Sequence, residues 1–174
     1  IMFIGDFEKA ASWKASAVKG CKRFLDRIWN MSCEKLDGDE SLSKANEAAL
    51  HRTIKKVTDD IEAMKFNTAI AALMALVNDF YANGASRGDM KALLLMLSPF
   101  APHLCEEQWE IMGFAKESGK VICTMEWPTY DESKTIAATT EMAVQVLGKL
   151  RGTVVVPMDS DQDTVLEAAK ANER

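Results

Sequence analysis

The chain is poor in the residues that build metal centres. It has two histidines, His51 and His103, and four cysteines, Cys21, Cys33, Cys105 and Cys123, none of them in a Cys-x-x-Cys pair. Metal sites need clustered ligands, so this scatter argues against zinc and leaves free, mostly buried thiols in a reducing cytoplasm as the expectation. Long apolar runs are missing as well. Ala92–Leu97 is unbroken but too short to span a membrane, and Met2–Ile4 is too short for a signal peptide. Positive charge is in deficit, with 21 Lys and Arg against 26 Asp and Glu, a net charge of -5. That balance argues against a protein that coats nucleic acid over its whole surface, but it allows a local basic face. The first residue is Ile1 rather than methionine, so the expectation is a piece of a longer protein whose remainder holds the chemistry.

What is present suits an ordinary globular chain. Its 174 residues are 48% apolar and 27% charged, enough for a real core in one domain plus a small second one. The organising stretch is Met90–Trp109. Its apolar run reads as a helix buried on most sides, stopped at Ser98 because Pro99 cannot donate and disfavours helix before it. Pro102 suits the first turn of a following helix, which should run to about Met112, close at Gly113 and carry Glu106, Glu107 and Glu110 toward water.

Upstream, Val18, Cys21, Leu25, Ile28 and Trp29 recur at helical spacing from Ser16, a candidate cap, to Cys33. The opposite face shows Lys19, Lys22, Arg23 and Arg27. Residues 1–35 hold seven Lys and Arg against four Asp and Glu, a local +3 in a chain of -5. Leu36–Glu40 reads as a turn. A second helix is expected from Ser41 or Ser43, with a stripe of Leu50, Ile54, Val57, Ile61 and Met64. Asn67 should cap a third, running to Ala82 and apolar all round over Ala69–Val77, with Gly84 as its stop and Ser86 or Asp89 opening the next. Short loops between four or five helices predict an antiparallel bundle. Phe7 and the tryptophans Trp13, Trp29, Trp109 and Trp127 are the expected core anchors.

After Gly113 the pattern changes. Lys120–Trp127 alternates, is rich in β-branched residues and predicts a strand, followed by a linker at Thr129–Ser133. Met142–Leu147 and Thr153–Val156 read as two strands with Gly148–Gly152 between or beside them, and Val165–Lys170 as a short helix. Two strands and a helix are too few for an independent fold.

Three separated stretches resemble one family. Arg23-Phe24-Leu25-Asp26-Arg27-Ile28-Trp29 is similar to a helix of bacterial leucyl-tRNA synthetases. Leu97-Ser98-Pro99-Phe100-Ala101-Pro102-His103, with Glu106, Glu107 and Trp109, resembles the proline elbow shared by the leucyl, isoleucyl and valyl enzymes. Gln145–Gly152 resembles the Val-Asn-Gly-Lys-x-Arg segment opening the leucyl enzyme's C-terminal domain, except that Leu147 replaces the usual asparagine of an Asn-Gly turn. The resemblance covers essentially the whole chain. It implies a mainly α fold, an antiparallel helical bundle of the class I anticodon-binding type. Residues 1–130 would form this tRNA-binding bundle, and 131–174 a linker and the start of an incomplete α+β C-terminal domain. The whole enzyme would be a cytoplasmic monomer joining leucine to its tRNA with ATP and magnesium. The family's His-Ile-Gly-His and Lys-Met-Ser-Lys-Ser motifs do not occur here, so the chain alone should catalyse nothing, bind leucine tRNA and the remainder of the synthetase, and need no cofactor or metal.

Candidate sites have bland alternatives. Arg23 and Arg27 sit four apart on one helical face and suit bidentate phosphate or base-edge contacts; without the family they are solvated decoration. Lys19 and Lys22, a turn back, are candidates for further phosphate contacts. Lys149 and Arg151 match the third motif and either touch tRNA or pin the hinge before the C-terminal domain. His103, Cys105, Glu106 and Glu107 cluster at a helix start, where carboxylates are favoured by the helix dipole, and no nucleophile, base and orienting partner assemble there. The rival families are the isoleucyl and valyl enzymes. The rival class is a helical scaffold that binds proteins through an apolar patch.

Overall fold

The computed structural model describes residues 2–5, 15–33, 40–135, 139–146, 149–157, 160 and 162–171. The chain divides into two compact units, Ile1–Thr135 and Ile136–Arg174. The first is helical: α1 (Ala15–Cys33), α2 (Glu47–Glu62), α3 (Phe66–Asn83), α4 (Arg87–Leu97), α5 (Pro102–Ile111) and the short α6 (Phe114–Ser118), followed by 3-10 turns at Ile122–Thr124 and Glu132–Lys134.

The expected bundle is there. α4 is its centre, with Met90, Leu93, Leu94, Met96 and Leu97 almost fully buried. It starts on a capping box: the Ser86 hydroxyl accepts the Asp89 N–H while the Asp89 carboxylate accepts the Ser86 N–H. It gives way at Ser98 to the proline elbow, and α5 begins with Pro102 in its first turn. Gly113, at φ 82°, closes α5 in the left-handed conformation that glycine adopts without strain. Trp109 of α5 is buried, packs against Phe114 at 4.8 Å between ring centroids, and donates its indole N–H to the Lys120 carbonyl.

Five expectations about the helices are corrected. The buried face of α1 is Phe24, Ile28 and Met31; Val18 and Trp29 are exposed, and Leu25 is only partly covered. Ser16 and Asn67 are not caps but the second residues of α1 and α3. α2 starts at Glu47 rather than at Ser41 or Ser43, because Ser43 donates its N–H and hydroxyl to the Asp89 carboxylate instead of capping. The α2 stripe ends before Met64, which lies past the helix at φ 57° with its side chain in solvent. α3 is buried on one face only, through Ala69, Ile70, Leu73, Leu76, Val77 and Phe80, with Ala71 and Ala75 outside.

No strand forms over Lys120–Trp127. Val121 and Met125 are extended, as the alternation predicts, but the Ile122 N–H goes to the Glu106 carboxylate, and the indole N–H of Trp127 to the Thr58 hydroxyl at 2.9 Å. Trp127, like Trp29, is over a third exposed, so only Trp109 among the described tryptophans is a core anchor. Phe7, Trp13 and most of the Leu36–Glu40 turn lie outside the described residues. The cysteines also differ from expectation. Only Cys105 is buried, and Cys33 and Cys123 are exposed. The Glu132–Lys134 turn is fastened to α2 by Lys55–Glu132, Lys134–Glu47 and the Asp131 N–H donated to His51 Nδ1.

The second unit holds an antiparallel pair, β1 (Thr139–Val146) and β2 (Lys149–Pro157), and α7 (Gln162–Ala171), which packs on β2. Both strands are longer than expected and absorb most of Gly148–Gly152. Leu147 and Gly148, where the sequence put an Asn-Gly-like turn in doubt, lie outside the described residues; Val146 and Lys149 pair.

Candidate nucleic-acid interface

An α-helix places residues four apart on one flank. On α1, Lys19, Arg23 and Arg27 therefore form a line running beside the Phe24–Ile28–Met31 face that anchors the helix. Lys19 and Arg23 are exposed, and neither makes an ion pair or hydrogen bond among the described residues. Lys22 is exposed too, but it is engaged with the Asp26 carboxylate at 2.6 Å. The net positive charge of the flank thus rests on Lys19, Arg23 and Arg27.

Arg27 is held in place. Its Nη1 donates to Asn78 Oδ1 at 2.8 Å, its guanidinium lies 4.3 Å from the centre of the Tyr81 ring, and the Tyr81 hydroxyl donates to the Arg27 carbonyl at 2.9 Å. Asn78 and Tyr81 sit on α3 and were invisible to sequence reasoning. The signal that would have found them is a helix with a single charged residue, Asp79, that still carries an asparagine and a tyrosine on its open side.

Lys149 and Arg151 lie in β2. Val144 pairs with Gly152 and Gln145 with Leu150, so Arg151 is the extra residue of a bulge, while Lys149 pairs with Val146. Bulges interrupt the regular alternation of a strand. Arg151 therefore has a backbone position distinct from that of any other residue of the hairpin.

The cluster at the start of α5 is structural. Burial pushes the Cys105 thiol up to about 12, which leaves it protonated and inert at neutral pH. Glu106 accepts the Ile122 N–H, and Glu107 faces solvent. His103 is exposed at the rim of a groove of about 510 Å³ beside the proline elbow. Among the described residues no three His, Cys, Asp or Glu side chains come together as a metal site. No helix there is long and apolar enough to cross a membrane.

Comparison with known proteins agrees with this architecture. The family described as the anticodon-binding domain of tRNA ligase matches residues 43–167, a span that begins after α1. Along 99% of its length the chain is 49% identical to the leucine--tRNA ligase of Alkaliphilus oremlandii, of which it covers 21%. It is 42% identical over 98% of its length to that of Bdellovibrio bacteriovorus, of which it covers 22%. The chain thus spans about a fifth of these relatives, and both alignments are long enough to take in α1. A similar solved structure is the ternary complex of Agrobacterium radiobacter K84 agnB2 LeuRS with tRNA and LeuAMS. It is 27% identical with a TM-score of 0.71, over 98% of this chain and 24% of that one. By sequence and by fold, the chain belongs to the family of anticodon-binding domains of tRNA ligases.

Proposed function

We propose that the chain is the tRNA-holding module of a leucine–tRNA ligase, and that it grips the tRNA body through the basic flank of α1. The observation that carries this reading is the line Lys19–Arg23–Arg27, basic and projecting from a net acidic chain, in a chain that aligns end to end with leucine--tRNA ligases. Phosphate neutralisation by lysine and arginine supplies most of the sequence-independent affinity for nucleic acid, and such contacts fix register without reading bases. That suits a module that positions the tRNA while chemistry occurs elsewhere.

In this reading, leucylation with ATP and magnesium belongs to parts of the ligase outside these 174 residues, and the chain needs no cofactor of its own. The first unit, 1–135, holds the tRNA; 136–174 opens the C-terminal tRNA-binding domain, where Lys149 and the bulged Arg151 add a second contact or set its hinge. The ligase works as a monomer in the cytoplasm. Identity along the whole chain to leucine enzymes favours this over the isoleucyl and valyl alternatives and over a protein-binding scaffold.

The test is a titration of the chain with leucine tRNA and an unrelated tRNA at several salt concentrations. Salt-dependent binding that weakens and loses salt slope in Arg23→Ala/Arg27→Ala is expected. Unchanged affinity and slope in the folded double variant would overturn the role of α1. No binding even at low salt would return the chain to the scaffold class.

A further inference from the structure

Four cations lie over aromatic rings among the described residues: Arg27 on Tyr81, Lys55 on Tyr130, Arg87 on Phe114, and Lys91 on Trp109 and Phe114. Three of them are also ion-paired. Lys55 meets Glu132, Arg87 meets Glu117 and Glu40, and Lys91 meets Glu40. These are internal staples, with orientation and neutralisation supplied together. Arg27 differs. Its orientation is fixed by Tyr81 and Asn78, yet among the described residues no carboxylate pairs with it. The adjacent Asp26 is taken by Lys22, and Asp79, beside Asn78, forms no ion pair among the described residues.

A guanidinium that is held but not neutralised is what an anion site requires. An arginine has five N–H donors in a planar fork. Asn78 takes one, and no other hydrogen bond from the guanidinium occurs among the described residues. Because the neutral partners hold the plane, ordering this side chain is already done before an anion arrives, and its charge remains available. Tyr81 keeps 48% of its surface exposed, so the stack sits at the edge of the bundle rather than inside it.

We infer that Tyr81 and Asn78 of α3 are positioning residues for tRNA binding, holding Arg27 so that the free edge of its guanidinium meets a backbone phosphate. The inference rests on the tRNA-holding role proposed for α1 and extends the contact surface to a second helix. It separates three kinds of side chain: Arg23 and Lys19 contribute charge, Arg27 contributes charge and geometry, and Tyr81 contributes geometry alone.

The experiment measures leucine tRNA affinity of the 174-residue chain against salt for Arg23→Ala, Arg27→Ala, Tyr81→Leu, Tyr81→Phe and the Arg27→Ala/Tyr81→Leu pair. Arg27→Ala should weaken binding and lower the salt slope by about 0.7 to 0.9, one phosphate contact. Tyr81→Leu should weaken binding roughly three- to tenfold, the cost of ordering one long side chain, with the slope unchanged because the charge remains. Tyr81→Phe keeps the ring under the guanidinium and should stay within about twofold of the parent. Adding Tyr81→Leu to Arg27→Ala should cost nothing further. Parental affinity in Tyr81→Leu while Arg27→Ala binds weakly overturns the inference and leaves the role of α1 standing. A Tyr81→Leu loss that persists in the Arg27→Ala background also overturns it. Parental affinity and slope in both Arg23→Ala and Arg27→Ala overturns the underlying reading. Should Tyr81→Leu fold poorly, Asn78→Ala carries the same readout, since it frees the other end of the guanidinium.

Discussion

Asp89, buried at the start of α4, accepts both the backbone N–H of Ser43 at 3.1 Å and its hydroxyl at 2.7 Å, tying the segment before α2 to the central helix. The same carboxylate takes the Asn46 side-chain amide at 2.9 Å and the Ser86 N–H at 3.1 Å. One side chain therefore satisfies four donors from three residues, in two separate parts of the chain. Asp89→Ala leaves all four without their acceptor and should cost about 3 kcal/mol. Asp89→Asn should cost nearly as much, since its amide turns a donor toward donors. Urea denaturation checks both, and a loss under about 1 kcal/mol in either would contradict this role.

Gly88, next to that carboxylate, is required by close approach rather than by backbone angle. A Cβ built there would stand 2.2 Å from the Glu40 carbonyl oxygen and 2.6 Å from that of Ser41. Both atoms are backbone, so relief means moving the 40–41 segment off α4. Gly88→Ala is expected to destabilise by at least about 2 kcal/mol, despite alanine's better helix propensity. Thermal unfolding measures it, and a stabilised variant would show that the 40–41 segment yields freely.

How much of this was legible follows from what each signal reports. The proline elbow, the Ser86 start of α4 and the hairpin were readable because proline, the capping box and alternating β-branched residues act within a few residues of themselves. The core face of α1 was not. Val18, Cys21, Leu25, Ile28 and Trp29 straddle two adjacent faces, and which one is buried depends on where the rest of the bundle packs. Phe24, Ile28 and Met31 won. Lys120–Trp127 failed differently: its extended backbone was foreseen, but a strand also needs a partner, and Glu106 took the Ile122 N–H instead. At the site, Arg23 and Arg27 could be singled out by charge, whereas Tyr81 and Asn78 lie more than fifty residues along the chain from Arg27, and only the fold brings them to it.

Lys134 holds the Glu47 carboxyl below its ordinary 4.5, mainly by hydrogen bonding and then by charge, while Glu47 holds Lys134 above its ordinary 10.5. The signs fix the window. The contribution of Glu47 is complete above 4.5 and is lost as pH falls through its lowered folded value. That of Lys134 is complete below 10.5 and is lost as pH rises through its raised one. Lys134→Met should therefore move the Glu47 titration, followed by carboxyl NMR, up toward 4.5. A Glu47 curve that does not move would assign its shift to some other group.

The cysteines should react in the order of their exposure. Cys33 and Cys123 face solvent, whereas Cys105 is buried and its thiol is pushed up to about 12. A thiol-specific reagent at pH 8 should label Cys33 and Cys123 in the native chain and Cys105 only after denaturation. Rapid native labelling of Cys105 would mean that α5 opens locally, because no thiolate forms in its buried setting.

The pair Lys22–Asp26 gives a charge test of the α1 flank that leaves the Arg27 stack untouched. Lys22 spends its charge on Asp26 at 2.6 Å, so its removal exposes an aspartate on the surface proposed to face phosphates. Lys22→Ala should weaken leucine tRNA binding through that uncovered negative charge and not through a lost contact. Removing both partners should then restore affinity to within about twofold, because the net charge of the flank returns to its parental value. Arg23→Ala removes a proposed phosphate contact as well as a charge, so adding Asp26→Ala should restore the net charge of the flank but recover affinity only in part. The comparison is a double-mutant cycle read as affinity against salt. If Lys22→Ala/Asp26→Ala binds as weakly as Lys22→Ala alone, Lys22 itself touches the tRNA and its ion pair opens on binding.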